Sequence, residues 1–382
     1  MGMDVVVIEG ARTPMGRYLG SLRERSAAEL GVAAAEEAVR RSQVPGDEFD
    51  HAIFGNVLQT SGDAPYLARH IGLRSGLPIE AGALTVNRLC GSGMQAVISG
   101  AQMLLLGEAD IVLAGGTEAM SQAPHVVRGL RNGLRLGDAR LEDSLQVALM
   151  DTYSGCTMAT TAENLARRYG ITREEQDRYA LRSQRAAAEA KGKLREEMAA
   201  VDGLEEDEHP NPGTTLEALS KLRPAFPGNS TVTAGNACGM VDGATALVLA
   251  SSGRAEELGL EPLGRIVSWA VVGVEPTMMG IGPVPAAREA LARAGLRLED
   301  MDLVEVNEAF AAQYLAVERE LCLERERTNV NGGAIALGHP FGSTGARLVL
   351  ALLYELRRRK RRYGLASACI GGGQGIAMVV ER

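Results

Sequence analysis

The sequence predicts an α/β fold, and three observations carry the prediction. β-type runs alternate with helical segments along most of the chain. Glycine, at 46 of 382 residues, stands above the usual ~7%, so many tight turns and close backbone approaches follow. Aromatics make up only 4% against 46% hydrophobic residues in all, so the cores must be built from Ala, Val and Leu. A chain of 382 residues can bury large cores, in two or three domains of ordinary size.

Taken in order, Val5 to Ile8 reads as a strand. Ser26-Ala27-Ala28-Glu29 is a capping box opening a helix to about Arg41, because the serine and glutamate side chains satisfy each other's backbone N–H groups. Ala52 to Val57, Asp110 to Ala114 and Leu303 to Val306 are further strands, and Thr172-Arg173-Glu174-Glu175 opens a second boxed helix to about Ala190. The basic run Arg357 to Arg362 reads as a helix end, where cations complement exposed carbonyls. Residues 119 to 239 differ in texture, with the acidic block Glu205-Glu206-Asp207-Glu208 and the Pro/Gly-rich stretch His209 to Gly213, and read as an inserted lobe. Similar units flank it. Thr85-Val86-Asn87 leads through Gly-Ser-Gly into a helix, as Asn329-Val330-Asn331 leads through Gly342-Ser343-Thr344-Gly345 into another, which suggests an internal duplication.

The formal charge of -8 argues against nucleic acid or an anionic membrane as partner, since both call for a basic surface. No run of about 18 apolar residues is evident, and Met1-Gly2-Met3-Asp4 runs straight into a strand, so a cytoplasmic location is expected. Five cysteines without a C-x-x-C pair fit a reducing compartment and would act as thiols. The metalloprotease pattern H-E-x-x-H and the phosphate-loop pattern G-x-x-x-x-G-K-[ST] are absent, so no metal or cofactor is expected.

The stretch Asn87-Arg88-Leu89-Cys90-Gly91-Ser92-Gly93 raises the question of chemistry. A cysteine between a strand end and a helix start meets outward-pointing N–H groups that stabilise a thiolate, so Cys90 is a candidate nucleophile with a lowered pKa. A buried turn cysteine is the other reading. Gly91 to Ala96 also fits the G-x-G-x-x-A dinucleotide fingerprint, with Glu118 near the end of the next strand, which would make the protein an NAD-dependent oxidoreductase. Downstream, His339 lies in the Gly-rich stretch Asn331 to Pro340 and suits a thiol as proton acceptor. Cys369 precedes Gly371-Gly372-Gly373, whose N–H groups could bind an oxyanion.

Taken together, Gly10 to Pro14, Asn87 to Gly93, Gly115 to Ser121, Asn236 to Gly239, Asn307 to Ala311, Asn331 to Pro340 and Cys369 to Gly375 resemble the thiolase family, the acetyl-CoA acetyltransferases and 3-ketoacyl-CoA thiolases, over nearly the whole chain. The resemblance implies a thiolase fold: two duplicated βαβαβαββ halves in a layered αβαβα arrangement with an inserted loop domain. Its divisions would be residues 1–118, completed by about 240–260, then a loop domain over the CoA site at 119–239, and a second half at 261–382. It implies that Cys90 accepts the acyl group, His339 activates it, Cys369 is the acid/base thiol, and Asn307 holds a water in a first oxyanion hole. Backbone N–H groups of Cys90 and Gly371 would form a second. Met158, Phe226, Ala237, Cys238, Ala309 and Phe310 would line the path of pantetheine and acyl group. The implied substrates are acyl-CoA, acetyl-CoA and CoA, in fatty acid metabolism, in a homodimer or homotetramer. An acyl-CoA-binding carrier or scaffold without turnover is the alternative. Thr157 and Ala159 depart from the His-Met-Gly of short-chain biosynthetic members, which leaves acyl preference open, with Thr157 expected to face the acyl group. Cys238 stands where many members have serine, and Asn211 where an arginine often meets the adenine end of CoA.

Overall fold

The computed structural model describes residues 4–225 and 231–382. Its first half runs β1 (Val5–Arg12), α1 (Ala27–Ser42), β2 (His51–Gly55), α2 (Leu67–Arg74), β3 (Gly82–Val86), α3 (Ser92–Leu106) and β4 (Ile111–Glu118). The segment 119–240, with α4 (Met158–Tyr169) and α5 (Arg173–Glu189) as its longer helices, leads to β5 (Val241–Ser251). The second half repeats the plan: β6 (Gly264–Gly273), α6 (Pro283–Ala294), β7 (Leu303–Val306), α7 (Ala311–Leu321), α8 (Phe341–Arg359), β8 (Tyr363–Ile370) and β9 (Gln374–Glu381). The counterpart of β3 is reduced to a bridge between Val304 and Thr328. Both capping boxes read from the sequence form, Ser26 with Glu29 and Thr172 with Glu175.

The strands make one hydrogen-bonded path, β7-β8-β9-β6-β1-β5-β4-β2-β3, parallel near its two ends and antiparallel through the middle. The halves meet where β1 and β6 pair at Val5–Ile266, Val6–Arg265 and Val7–Gly264. So short a joint lets the sheet halves diverge around a central layer of α3 and α8. That layer's core joins Met94, Val97 and Ala101 of α3 and Leu348 and Leu352 of α8 to Val112 and Leu247 of one half and Ile370 and Met378 of the other. On the outer face of the first half Leu30, Ala34 and Ala38 of α1 and Ile71 of α2 cover Phe54, Leu113 and Val248. On the second, Ala286 and Ala290 of α6 and Tyr314 and Val317 of α7 cover Val306, Leu365 and Val379. The five layers are αβαβα.

The stretch Leu89–Leu106 is long and apolar enough to cross a membrane by length and composition. It contains α3, and its hydrophobicity is explained by sheets on both sides of the central layer. The basic run ends α8 as expected: Arg357, Arg358 and Arg359 stand in its last turn, and Arg358 pairs with Glu355 and Glu196.

Candidate active site

Asn87, Ser92 and a strained backbone shape the turn that carries Cys90. Asn87 Oδ1 accepts the N–H of Leu89 at 3.0 Å, and Ser92 Oγ accepts from Arg88 N at 2.8 Å while donating to Leu89 O at 2.7 Å. Leu89 takes φ +47°, left-handed backbone that a leucine adopts only when its surroundings over-determine it. The turn rests directly on the end of β8, since a Cβ on Gly91 would lie 2.6 Å from Ile370 Cδ1. Cys90 is thereby held two residues before the start of α3.

His339 arrives through Gly338, whose φ of +94° and closeness to Val241 admit no side chain. The imidazole is buried. Its Nδ1 lies 2.6 Å from Thr344 Oγ1, and that hydroxyl donates to Pro340 O at 3.0 Å. A hydroxyl has one proton, so Nδ1 carries its own and donates to Thr344, which leaves Nε2 as acceptor. Asn307 Nδ2 faces Nε2 at 3.4 Å, and Asn307 Oδ1 is buried without a protein partner among the described residues.

Neighbouring Glu308 fixes this region. Its carboxylate accepts from Tyr179 Oη and Ser183 Oγ, both at 2.6 Å, from Asn329 Nδ2 at 3.0 Å and from Ile335 N at 3.2 Å. It thus ties α5 to the segments bearing Asn307 and leading to His339. Glu308 lay in a recognised sequence stretch, but its buried role needed partners 129 residues away.

Cys90 and His339 line one apolar cleft of about 50 Å³ with Leu89, Ala148, Leu149, Met158, Cys238, Met279, Ala309, Phe310, Phe341 and Gly371. Of the residues expected from sequence, Met158, Cys238, Ala309, Phe310 and Gly371 are therefore brought to Cys90. Cys369 is fully buried at the end of β8 and lies outside the lining of the cleft. Ala237 is outside the lining, bridged to Phe310. Phe226 lies outside the described residues. Thr157 is the N-cap of α4, its Oγ1 accepting from Thr160 N at 3.1 Å, and takes no part in the cleft. Asn211 occupies a turn, its side chain accepting from Gly213 N at 3.1 Å. Sequence reasoning missed Leu89, Ala148, Leu149, Met279 and Phe341. Phe341 was within sight, two residues past His339, whereas Ala148 and Leu149 come from the lobe, where periodicity is weak. Larger depressions, such as that bounded by Ala33, Glu36, Arg40 and Met198, hold no thiol or imidazole.

The electrostatics correct one expectation. Burial pushes the Cys90 thiol up to about 11, and nearby Glu118 adds to the rise. The N–H groups of Gly371 and of Cys90 itself oppose it without prevailing. The helix start does not win here, because Leu89, Leu149, Met158 and Phe341 close an apolar wall around the sulfur. Burial, and then Arg347, depress His339 to about 3. Burial likewise raises Cys238 to about 12 and Cys369 well above the ordinary thiol value. At neutral pH the raised thiols and the depressed imidazole favour their neutral forms.

The dinucleotide reading fails on the same geometry. A Cβ on Gly93 would lie 2.7 Å from Gly342 O, so this glycine serves the contact of α3 with α8. Glu118 is buried, with N–H donors on both of its oxygens. Among the described residues no group of three or more His, Cys, Asp or Glu could hold a metal ion.

A layered α/β fold that presents a thiol, an imidazole base and paired backbone N–H groups in one apolar cleft is that of an enzyme that transfers acyl groups. Residues 5–253 match the family model for the thiolase N-terminal domain, and residues 260–382 that for the thiolase C-terminal domain. The chain belongs to the thiolase family. It is 53% identical to the mitochondrial 3-ketoacyl-CoA thiolase of Homo sapiens, covering 99% of this chain and 98% of that one. It is 47% identical to an acetyl-CoA acetyltransferase of Pseudomonas aeruginosa, over 99% of both. The crystal structure of the human mitochondrial enzyme in complex with CoA superposes with a TM-score of 0.98, at 53% identity, over 99% of this chain and 98% of that one.

These relatives overturn the cytoplasmic expectation, since the human protein and a Mus musculus relative, 50% identical to this chain, are named mitochondrial. Free thiols and an acidic balance do not distinguish one reducing compartment from another.

Proposed function

We propose that this chain catalyses acyl-CoA:acetyl-CoA C-acyl transfer, the reversible thiolytic cleavage of 3-ketoacyl-CoA and its reverse Claisen condensation, through an acyl-Cys90 intermediate. The observation that carries the proposal is the convergence of Cys90, His339 and the N–H groups of Cys90 and Gly371 on one apolar cleft. In thiolysis His339 Nε2 takes the Cys90 proton and the sulfur attacks the 3-keto carbon. The N–H pair holds the resulting oxyanion. Collapse breaks the bond between C2 and C3, sending the electron pair into the enolate of acetyl-CoA, which Cys369 protonates. Asn307 Oδ1, without a protein partner among the described residues, supports a role for Asn307 in holding a water against the enolate oxygen. The His339 imidazolium restores the proton to the Cys369 thiolate; free CoA then gives its proton to His339, attacks the acyl-Cys90 thioester and carries off the shortened acyl group, and the released Cys90 sulfur takes that proton back from His339.

Met158, Ala309, Phe310 and Cys238 line the acyl and pantetheine path in this reading, with Ala237 behind Phe310. Residues 119–239 form the loop domain over the CoA site, between a first half at 1–118 and a second at 261–382. CoA and its thioesters are substrates, and no metal or prosthetic group takes part.

Assembly as a homodimer or homotetramer is supported by two exposed apolar surfaces. β3 ends the sheet with Leu84 uncovered and Ile79 77% exposed beside it. The lobe presents Leu134, Leu136 and Leu141, with Leu136 99% exposed.

Incubation with 3-ketoacyl-CoA of graded chain length and free CoA tests the proposal: acetyl-CoA and a shortened acyl-CoA are expected at some length. Binding of acyl-CoA without cleavage at any length would make the chain a carrier.

A further inference from the structure

Glu118, at the end of β4, has no part in the chemistry above, yet it sits where the two turns of the site meet. It is fully buried. Its Oε1 accepts from Asn56 Nδ2 and Leu58 N, both at 3.0 Å, and its Oε2 from Gly342 N at 2.8 Å and Val57 N at 3.2 Å. Gly342 is in the first turn of α8, three residues after His339, so the carboxylate anchors the helix that His339 leads into. Around it four backbone segments touch without side chains between them. A Cβ on Gly342 would lie 2.4 Å from Thr117 O and 2.7 Å from Gly55 O, one on Gly93 2.7 Å from Gly342 O, and one on Gly55 2.6 Å from the backbone carbon of Ser92.

We propose that Glu118 is a positioning residue for acyl transfer: its carboxylate pins the first turn of α8, and with it His339, against the turn bearing Cys90, and sets a buried negative charge beside the nucleophile. The inference rests on the reading of Cys90 as acyl acceptor. Two donors on each oxygen occupy the lone pairs of a carboxylate and favour its charged form. Burial opposes this and pushes the group up to about 7, with Asp242 on β5 contributing. The titratable groups around the Cys90 sulfur are Glu118 on β4, Cys238 in the segment before β5, Cys369 on β8 and the neutral His339 before α8. Of these, Glu118 is the one carboxylic acid, and the four donors on its oxygens favour the carboxylate that burial opposes.

Glu118→Gln and Glu118→Asp, in the full-length protein, separate the positional effect from the electrostatic one. Three quantities are read: kcat and KM for acetoacetyl-CoA cleavage, acetylation of Cys90 by acetyl-CoA, and the pH profile of Cys90 alkylation by iodoacetamide, followed on its peptide. Glutamine removes the charge and turns an NH2 group against N–H donors. It is expected to lower kcat by ~10- to 100-fold with KM within ~3-fold, as misplacement of a catalytic group does. It should also move the alkylation profile down by roughly one pH unit, as loss of a nearby negative charge does. Aspartate keeps the charge and loses the reach, so kcat should fall while the alkylation profile stays at its wild-type position. A glutamine variant with kcat within twofold of wild type, or with an unmoved alkylation profile, overturns the proposal. If the glutamine variant does not fold, as judged by circular dichroism, an aspartate variant with wild-type kcat overturns it. Failure of the wild type to acetylate on Cys90 refutes instead the nucleophile assignment beneath it.

Discussion

Burial raises the Cys90 thiol to about 11 and depresses the His339 imidazole to about 3, so both favour their neutral forms in the absence of substrate. A raised pKa means that little thiolate is present at neutral pH and that its fraction grows about tenfold per pH unit. Alkylation of Cys90 by iodoacetamide in the absence of substrate should therefore climb steadily from pH 7 to 9.5, and a plateau by pH 8 would contradict the burial account. The second thiol separates the half-reactions. In Cys369→Ala the acetylation of Cys90 and release of one CoA should survive as a single-turnover burst, while condensation falls by the ~100- to 10,000-fold typical of losing a general acid or base. An abolished burst in a folded, CoA-binding variant would reverse the roles. The place of Cys90 at the cleft was legible because it stands beside glycines in a recognisable stretch. The protonation state of Cys90 was not, since the wall that buries it comes from Leu149, Met158 and Phe341, which a sequence window around position 90 does not contain.

Helices α3 and α8 each begin at a functional turn, and their close crossing sets the distance between those turns. Gly342 permits it, because the nearest atoms to a Cβ there are the backbone oxygens of Thr117 and Gly55, which cannot move cheaply. Gly342→Ala should cost about 1–3 kcal/mol in denaturant unfolding, as overpacking does, and should lower kcat in the folded fraction. Unchanged values for both would show that the crossing has slack. Thr157 is different: as the N-cap of α4, its replacement by alanine should cost about 1 kcal/mol and leave the chain-length profile of cleavage unaltered. A changed profile would return Thr157 to the acyl path. Elements with local signals, such as the boxed starts of α1 and α5, were read from sequence to within a residue or two. The bridge that stands in for a strand at Thr328 was not, because pairing with Val304 is a non-local event.

At the scale of the molecule, the repeated plan brings the proposed catalytic groups from both halves: Cys90 precedes α3 of the first, His339 precedes α8 of the second, and the two helices share one central layer. The apolar edge at β3 should then be covered in solution. Light scattering at micromolar concentration is expected to give a dimer or tetramer mass, which Leu84→Arg should reduce, and a wild-type monomer would contradict that expectation. The central claim, that the fold exists to present Cys90 as an acyl acceptor, is tested most directly by mass spectrometry of the intact and digested protein after brief exposure to acetyl-CoA. One acetyl group on the peptide containing Cys90, released on addition of CoA, is the predicted result; acetyl on Cys238 or Cys369 with Cys90 unmodified would contradict it.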